Sequence, residues 1–271
     1  MNILILGGTA FLGRQLAETA LAGDHQLTLF NRGRRNPDLF PQVERLRGDR
    51  RGDLSVLRGR RWDAVIDTCG YVPGVVRSSA EALKDSVDRY VFISSLSVYS
   101  DSEEASIDES TPVNRITAEQ LKEAEETVPS GPVIAFNYGK AYGGLKALCE
   151  EEAERAMHGR AINVRVGLIV GPHDYSDRFT YWPSRVKRGG EVLAPGLPDR
   201  PKQFIDVRDV AEWIMRVIET GETGTFNVTG PEYRLSMKAL LEECRAATAS
   251  VASFTWVADD FLLEHDVTPW S

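Results

Sequence analysis

Residues 1–13, MNILILGGTAFLG, constrain the chain more than any other stretch. Ile3, Leu4, Ile5 and Leu6 form an apolar run that stops at Gly7-Gly8. Without polar alternation, such a run suits a strand buried on both faces of a parallel sheet. Phe11 to Ala22 then carries Leu12, Leu16, Ala20 and Leu21 at helical spacing. Strand, glycine turn and helix N-terminus together make a dinucleotide site. The turn brings bare backbone close to a pyrophosphate, and the helix dipole and free N–H groups neutralise it. Gly7, Gly8, Thr9, Ala10, Phe11, Leu12 and Gly13 are the residues expected to line it. A lone glycine turn also describes an ordinary strand-to-helix connection, so its context has to decide.

That context repeats the pattern. Gln26–Phe30 reads as a second strand ending in Asn31-Arg32. An NAD site usually places an acid here for the ribose hydroxyls, while an arginine accommodates the extra phosphate of NADP. Asn31 and Arg32, with Arg34 and Arg35 behind them, favour NADP over NAD, the alternative being a solvated basic loop. Leu46–Asp49 looks like a short third strand whose Asp49 meets the adenine amino group. Trp62–Thr68 is a strand with Cys69, Gly70 and Tyr71 at its carboxyl end, where ligands sit in open α/β sheets. A helix over about Val75–Ser86 and a buried strand Arg89–Ser94 follow. This alternation predicts an α/β fold: a doubly wound parallel sheet, the Rossmann arrangement.

Ser100–Gly139 is polar and broken by Pro112, Pro129 and Pro132, with a short exposed helix over Glu119–Glu126. It reads as a long surface excursion that covers the site. A helix over about Ala141–Met157 and a strand Ala161–Val170 come next. Residues 1–170, completed by about 203–230, are expected to form the dinucleotide-binding domain. Residues 171–202 and 231–271, with their prolines, glycines and aromatics, are expected to form a small substrate lobe. In the completing stretch, Phe204–Glu219 holds a strand and an amphipathic helix and Thr225–Val228 a strand; in the lobe, Leu235–Ala247 is a helix opened by Ser236. His173 and Arg178, beside Asp174 and Tyr175, are the lobe's candidate substrate residues, since an arginine clamps a phosphate or carboxylate. Tyr71 joins them from the first domain.

At 271 residues with a net charge of −8, the chain is not first read as a nonspecific nucleic-acid binder. The arginine-dense run Arg32–Arg61 is interleaved with Glu44, Asp49 and Asp53 and reads as a mixed-charge surface; a phosphate-rich or RNA ligand is the sharper alternative. Cys69, Cys149 and Cys244 are odd in number and lack metal spacing, which indicates a reducing cytoplasm. No metal site is expected. No stretch is long enough to span a membrane, and the apolar start lacks the basic flank of a signal peptide.

Tyr142 and Lys146 lie four residues apart in YGGLK and share one helical face. A phenol is too weak an acid to give up its proton near neutral pH unless a cation is close, and the ammonium supplies one. The activated phenol then gives or takes a proton at a carbonyl or alcohol while hydride moves to or from a nicotinamide. The spacing alone also describes a helix-surface pair. Its position rescues it: the helix follows the strand that leads into Ser94-Ser95-Leu96-Ser97-Val98-Tyr99, where a hydroxyl at the strand's end polarises the reacting oxygen. His25, His158, His173 and His265 are scattered, so no base for a hydrolytic serine is evident.

GGTAFLG, SSLSVYS, YGGLK, GLIVGP and FIDVRDVAEW, in that order, resemble the extended short-chain dehydrogenase/reductase superfamily, in its NAD-dependent epimerase/dehydratase branch. The resemblance runs from Gly7 to about Gly230. It implies Ser95, Tyr142 and Lys146 as catalytic triad, with Ser94 and Ser97 as runners-up to Ser95, and Tyr142 and Lys146 also contacting the cofactor. Backbone after Arg165, at Val166, would face the nicotinamide, and Cys69 and Gly70 would flank the cofactor. There are departures. Ala10 replaces the middle glycine, Val166 a frequent proline, and Leu96-Ser97 the acidic pair that drives water loss in dehydratases, so dehydration of that type is not expected. Relatives are usually longer, and the spacing predicts another element beginning at Asp266–Ser271, so a piece of the substrate lobe is expected beyond this chain.

The expected function is an NAD(P)-dependent oxidoreductase or epimerase acting on a small carbonyl or sugar-like substrate. The alternative is a nucleotide-sensing or RNA-binding protein on the same fold, because the resemblance extends to chloroplast stem-loop RNA-binding relatives; an intact triad disfavours it. The resemblance also implies a homodimer through the helices at about Val75–Ser86 and Ala141–Met157.

Overall fold

The computed structural model describes residues 1–99, 107–128 and 134–267. In chain order, β1 (Asn2–Leu6), α1 (Phe11–Ala22), β2 (Gln26–Asn31), β3 (Glu44–Arg47), β4 (Trp62–Asp67), α2 (Pro73–Leu83), β5 (Val87–Ser95), α3 (Ala118–Glu126), α4 (Tyr142–Met157) and β6 (Ala161–Val166) come first. Next are β7 (Ile169–Val170), α5 (Tyr181–Lys187), β8 (Glu191–Pro195), β9 (Pro201–Lys202), β10 (Ile205–Asp206), α6 (Val207–Thr220) and β11 (Gly224–Val228). The chain closes with β12 (Leu235–Ser236), α7 (Met237–Ala247), β13 (Ser253–Val257) and α8 (Asp259–Glu264). It divides into two units, Met1–Gly167 with Val207–Val228, and Leu168–Asp206 with Thr229–Ser271.

The first unit is a seven-stranded sheet in the order β3-β2-β1-β4-β5-β6-β11. Every neighbouring pair is parallel. This is the doubly wound Rossmann fold. Its β1 is buried from Ile3 to Leu6, which is why the strand shows no polar alternation. Leu4 and Leu6 pack with Val76, Ala80 and Leu83 of α2 and with Cys149 and Ala153 of α4. Ile3 and Ile5 alternate to the opposite face, where α1 and α6 pack on each other. The strand order reverses between β1 and β4, and ligand crevices in open α/β sheets lie at the carboxyl ends on either side of such a reversal.

Local boundaries follow side-chain chemistry. The capping box of α3 is formed by Thr117, whose hydroxyl accepts from Gln120 N–H, and by Gln120, whose side chain accepts from Thr117 N–H. Several expected boundaries move; the helix expected over about Val75–Ser86 runs Pro73–Leu83, and the strand expected over Arg89–Ser94 runs Val87–Ser95. The third strand ends at Arg47 rather than Asp49: the Gly48 N–H makes the last bond to β2, at Asn31 O, and Gly52 N–H then closes a turn on Asp49 O. The run from Ala161 to Val170 is broken: Gly167 N–H makes the last bond of the β6–β11 ladder, at Val228 O, and Ile169-Val170 then pairs with Ile205-Asp206 instead of extending β6. Of the polar stretch Ser100–Gly139, residues 100–106 and 129–133, with Pro129 and Pro132, lie outside the described residues. So do residues 268–271 of the Asp266–Ser271 end.

The second unit has its own core, built from Trp182, Val186, Val192, Ala194, Leu240 and Leu241. It joins α5 to α7 and carries the parallel pair β8–β13. Ser236 caps α7 by accepting from Ala239 N–H at 3.1 Å. Leu235 and Ser236 themselves pair with β9, so the helix starts at Met237.

Candidate active site

The carboxyl end of β1 is shaped by close backbone approach. Gly7 and Gly8 have φ of +114° and +90°, values an L side chain rarely adopts. A Cβ at Gly13 would lie 2.8 Å from Gly8 N, so α1 crosses the turn with no side chain between. Ala10 is the N-cap of α1 and offers no capping side chain. Thr9, Phe11 and Leu12 complete the turn, Phe11 with φ of +39°. Thr68, at the end of β4, donates its hydroxyl to Leu6 O at 2.8 Å and abuts Gly7. The turn and the β4 end therefore share one edge of the sheet.

At the end of β2, Asn31 spends its side chain on the backbone. Its amide donates to Gly7 O at 3.0 Å and its carbonyl oxygen accepts from Gly33 N–H at 2.9 Å. Arg32 and Arg34 are exposed beside it. Asp49 is exposed and accepts from Arg51 N–H at 3.0 Å. Much of the arginine run is taken up internally: Arg45 donates to Pro37 O and Leu39 O, Arg60 pairs with Glu44, and Arg61 with Asp88.

Arg50 departs from the mixed-charge surface expected for that run. Its side chain is 10% exposed and lies against Asp67, which is fully buried. The guanidinium reaches both carboxylate oxygens at 2.6 Å, a bidentate fork that matches the carboxylate's shape. Arg50 also donates to Ser79 on α2 and to the Cys69 sulfur, while Tyr90 donates to Asp67 at 2.8 Å. Burial works to raise the Asp67 carboxyl, but the guanidinium and these hydrogen bonds hold it below the usual carboxylate range. A carboxylate closing the apolar strand WDAVID is the signal that a buried cation must be found for it.

Lys146 is 4% exposed on α4. Its Nζ donates to Gly70 O at 2.7 Å and Ile93 O at 2.5 Å, and stands 4.3 Å from the ring centre of Phe92 and 5.2 Å from that of Tyr71. Burial lowers its pKa, against the pull of Cys149, Asp67 and Glu150. Tyr142 opens α4 one turn earlier. Its ring centre is 6.3 Å from that of Tyr71, which also stacks on Tyr138 at 6.1 Å. Tyr71 thus touches both members of the pair.

The three serines separate. Ser94 is buried and donates to Glu150 at 2.5 Å, and Glu150 is held by Arg165, whose guanidinium also donates to Tyr99 Oη. This buried pair was not evident from residue spacing. Ser95 is half-buried and ends β5; its hydroxyl accepts from Ser97 N–H and donates to Ser97 Oγ, both at 3.1 Å. Ser97 is exposed. Ser95 pairs in register with Val166, so the ends of β5 and β6 lie side by side. Gly143 allows α4 to reach this corner. Asn114, from the polar stretch, donates to Tyr99 O at 2.8 Å. His173 and Arg178 belong to the second unit and are exposed; Arg178 donates to Ser176 Oγ at 3.0 Å. Among the described residues no group of His, Cys, Asp or Glu is arranged to hold a metal, and no helix is long and apolar enough to cross a membrane.

This geometry has relatives. The family model for the NAD dependent epimerase/dehydratase family matches residues 3–229. The chloroplast stem-loop binding protein of 41 kDa b from Arabidopsis thaliana is 25% identical over 268 residues, covering 91% of this chain. The chain spans about 63% of that relative's length. UDP-N-acetylglucosamine 4-epimerase from Bacillus cereus superposes with a TM-score of 0.71 at 15% identity, covering 95% of this chain and 85% of its own. UDP-glucuronic acid 4-epimerase from Bacillus cereus, solved in complex with NAD, gives 0.71 at 17% identity, with 95% and 88% covered. At such identities the two structures speak for the fold. With the family model covering most of its length, the chain belongs to the NAD-dependent epimerase/dehydratase family.

Proposed function

We propose that this protein is an NAD(P)-dependent oxidoreductase or epimerase acting at an alcohol or carbonyl carbon of a small, sugar-like substrate, with Tyr142 as its general acid/base. The observation that carries this reading is the buried ammonium of Lys146, anchored on the ends of β4 and β5 one helical turn from Tyr142.

The glycine turn fits a dinucleotide. Gly7 and Gly8 adopt positive φ, Gly13 leaves no side chain over the turn, and the first turn of α1 has no side-chain cap; its N–H groups suit a pyrophosphate. When bound, the nicotinamide supplies or accepts hydride. The chain's own residues do the rest. Lys146 fixes the ribose and stabilises negative charge on the Tyr142 phenol; Tyr142 passes a proton to or from the substrate oxygen; Ser95 donates a hydrogen bond to that oxygen. Cys69, Gly70 and Val166 line the cofactor from the ends of β4 and β6. NADP is the preferred cofactor. No carboxylate stands at the end of β2, Asn31 is committed to backbone, and Arg32 is exposed beside it. Tyr71, His173 and Arg178 are the proposed substrate contacts. The three cysteines are free, which supports a reducing cytoplasm, and a homodimer is the proposed assembly.

The relative named for stem-loop binding favours a second reading, a nucleotide-sensing or RNA-binding protein without turnover. One experiment separates them. NADPH and NADH affinities are measured, then carbonyl compounds and sugar nucleotides are screened with Tyr142→Phe as control. Turnover abolished by Tyr142→Phe supports the enzyme. Salt-sensitive RNA binding that survives Tyr142→Phe, in a parent without turnover, supports the alternative.

A further inference from the structure

Beneath Lys146 lies the charge pair Arg50–Asp67, which the proposed chemistry does not use directly. Replacing a buried pair with apolar groups of similar volume is often neutral or stabilising, so its presence under an ammonium calls for a role besides stability. The hydrogen bonds supply one. Arg50 grips both oxygens of Asp67. Asp67 Oδ1 accepts from Cys69 N–H at 3.1 Å, which orients the backbone leading into Gly70. Gly70 O then accepts from Lys146 Nζ. Gly70 has no slack: an added Cβ would meet Phe92 at 2.6 Å and Val76 at 2.7 Å. Tyr90 and Ser79 hold the pair from β5 and α2.

We propose that Arg50 and Asp67 are positioning residues for Lys146, setting where its ammonium stands and so how tightly the dinucleotide is held. This rests on the dinucleotide reading above. The pair contributes geometry with little net charge: Asp67 attracts the ammonium and Arg50 opposes it. Position rather than field is therefore what it supplies.

The test compares the parent, the neutral double variant Arg50→Met/Asp67→Leu and the conservative Arg50→Lys. Three readouts are taken: melting temperature, NADPH affinity by intrinsic fluorescence, and the 15Nζ resonance of Lys146, which needs no cofactor. The double variant is expected to melt near the parent, bind NADPH at least about tenfold more weakly, and shift or lose the Lys146 resonance. Arg50→Lys is expected to fall between. If the double variant does not fold, Asp67→Asn takes its place, with the same shift in the resonance expected. Parent-like affinity and an unmoved resonance in a folded variant would overturn the proposal and leave the pair as packing. A parent that binds no dinucleotide, with the resonance still shifted in the folded variant, sinks the functional reading while keeping the coupling to Lys146.

Discussion

A Cβ built on Gly143 would stand 1.9 Å from the carbonyl oxygen of Ser97. No side chain fits there. The turn after β5, which carries Ser97 next to the strand's last residue Ser95, and the helix that carries Tyr142 and Lys146 touch through bare backbone. Gly144 makes room for the Ile116 side chain, whose Cγ2 would be 2.5 Å from an added Cβ. The two glycines in YGGLK are therefore part of how the site is assembled, and they explain why poor helix formers open α4.

Gly143→Ala is expected to force α4 away from Ser97 and to cost about 3 kcal/mol of stability, the upper range for overpacking. Denaturant unfolding measures it. An alanine tolerated there with unchanged midpoint and slope would mean the contact relaxes freely.

Ser94 and Ser95 should respond differently. Ser94→Ala removes a buried hydroxyl from Glu150, which keeps Arg165 as partner, and is expected to lower stability by about 1 kcal/mol with turnover nearly intact. Ser95→Ala removes the proposed polarising donor and is expected to lower kcat by about 10²-fold with stability nearly intact. Melting curves and steady-state rates on the same preparations distinguish them; a reversed pattern would exchange the two roles.

Asp67 has its carboxyl held low in the folded state, so the folded form binds fewer protons than the unfolded form just below about pH 4. Its stabilisation is fully present above that value and is lost as pH falls through the lower, folded value. Asp67→Asn strands Arg50 and is expected to cost about 3 kcal/mol at pH 7. The gap between parent and variant should narrow as the pH is lowered below 4. A gap constant from neutral to acid pH would mean the pair is not ionised as described.

The thiols make a simple check. Burial pushes Cys149 up to about 12 and also raises Cys69 and Cys244. Since the thiolate is the reactive form, all three are expected to label slowly with a disulfide reagent at pH 8 and rapidly in denaturant. Fast labelling of Cys149 in the native protein would contradict its burial.

The strand, glycine turn and helix of β1 and α1 were legible in residues 1–13 because the apolar run, the glycines and the helical spacing are all local and agree with one another. The same holds for the parallel alternation and for Tyr142 and Lys146, which one helix presents together. Arg50 was not legible, because its partner lies 17 residues away and nine other arginines between Arg32 and Arg61 look the same from composition. Ser94 was hidden for a similar reason: its acceptor, Glu150, comes 56 residues later. The break after β6 was not legible because VGLIV, after Arg165, has no polar side chain, and only pairing with Ile205 and Val228 divides it.

The most direct measurement is calorimetric titration of NADPH and NADH into the parent, Tyr142→Phe and Lys146→Met, followed by turnover of each with an accepted substrate. The parent is expected to bind one dinucleotide per chain, NADPH more tightly. Lys146→Met should weaken binding about tenfold or more, the value of a lost charge-assisted hydrogen bond. Tyr142→Phe should bind as the parent does and lose about 10²–10⁴ in turnover. No heat with either dinucleotide, or a Lys146→Met variant that binds as tightly as the parent, would contradict the site as built on Lys146 and Gly7–Gly13.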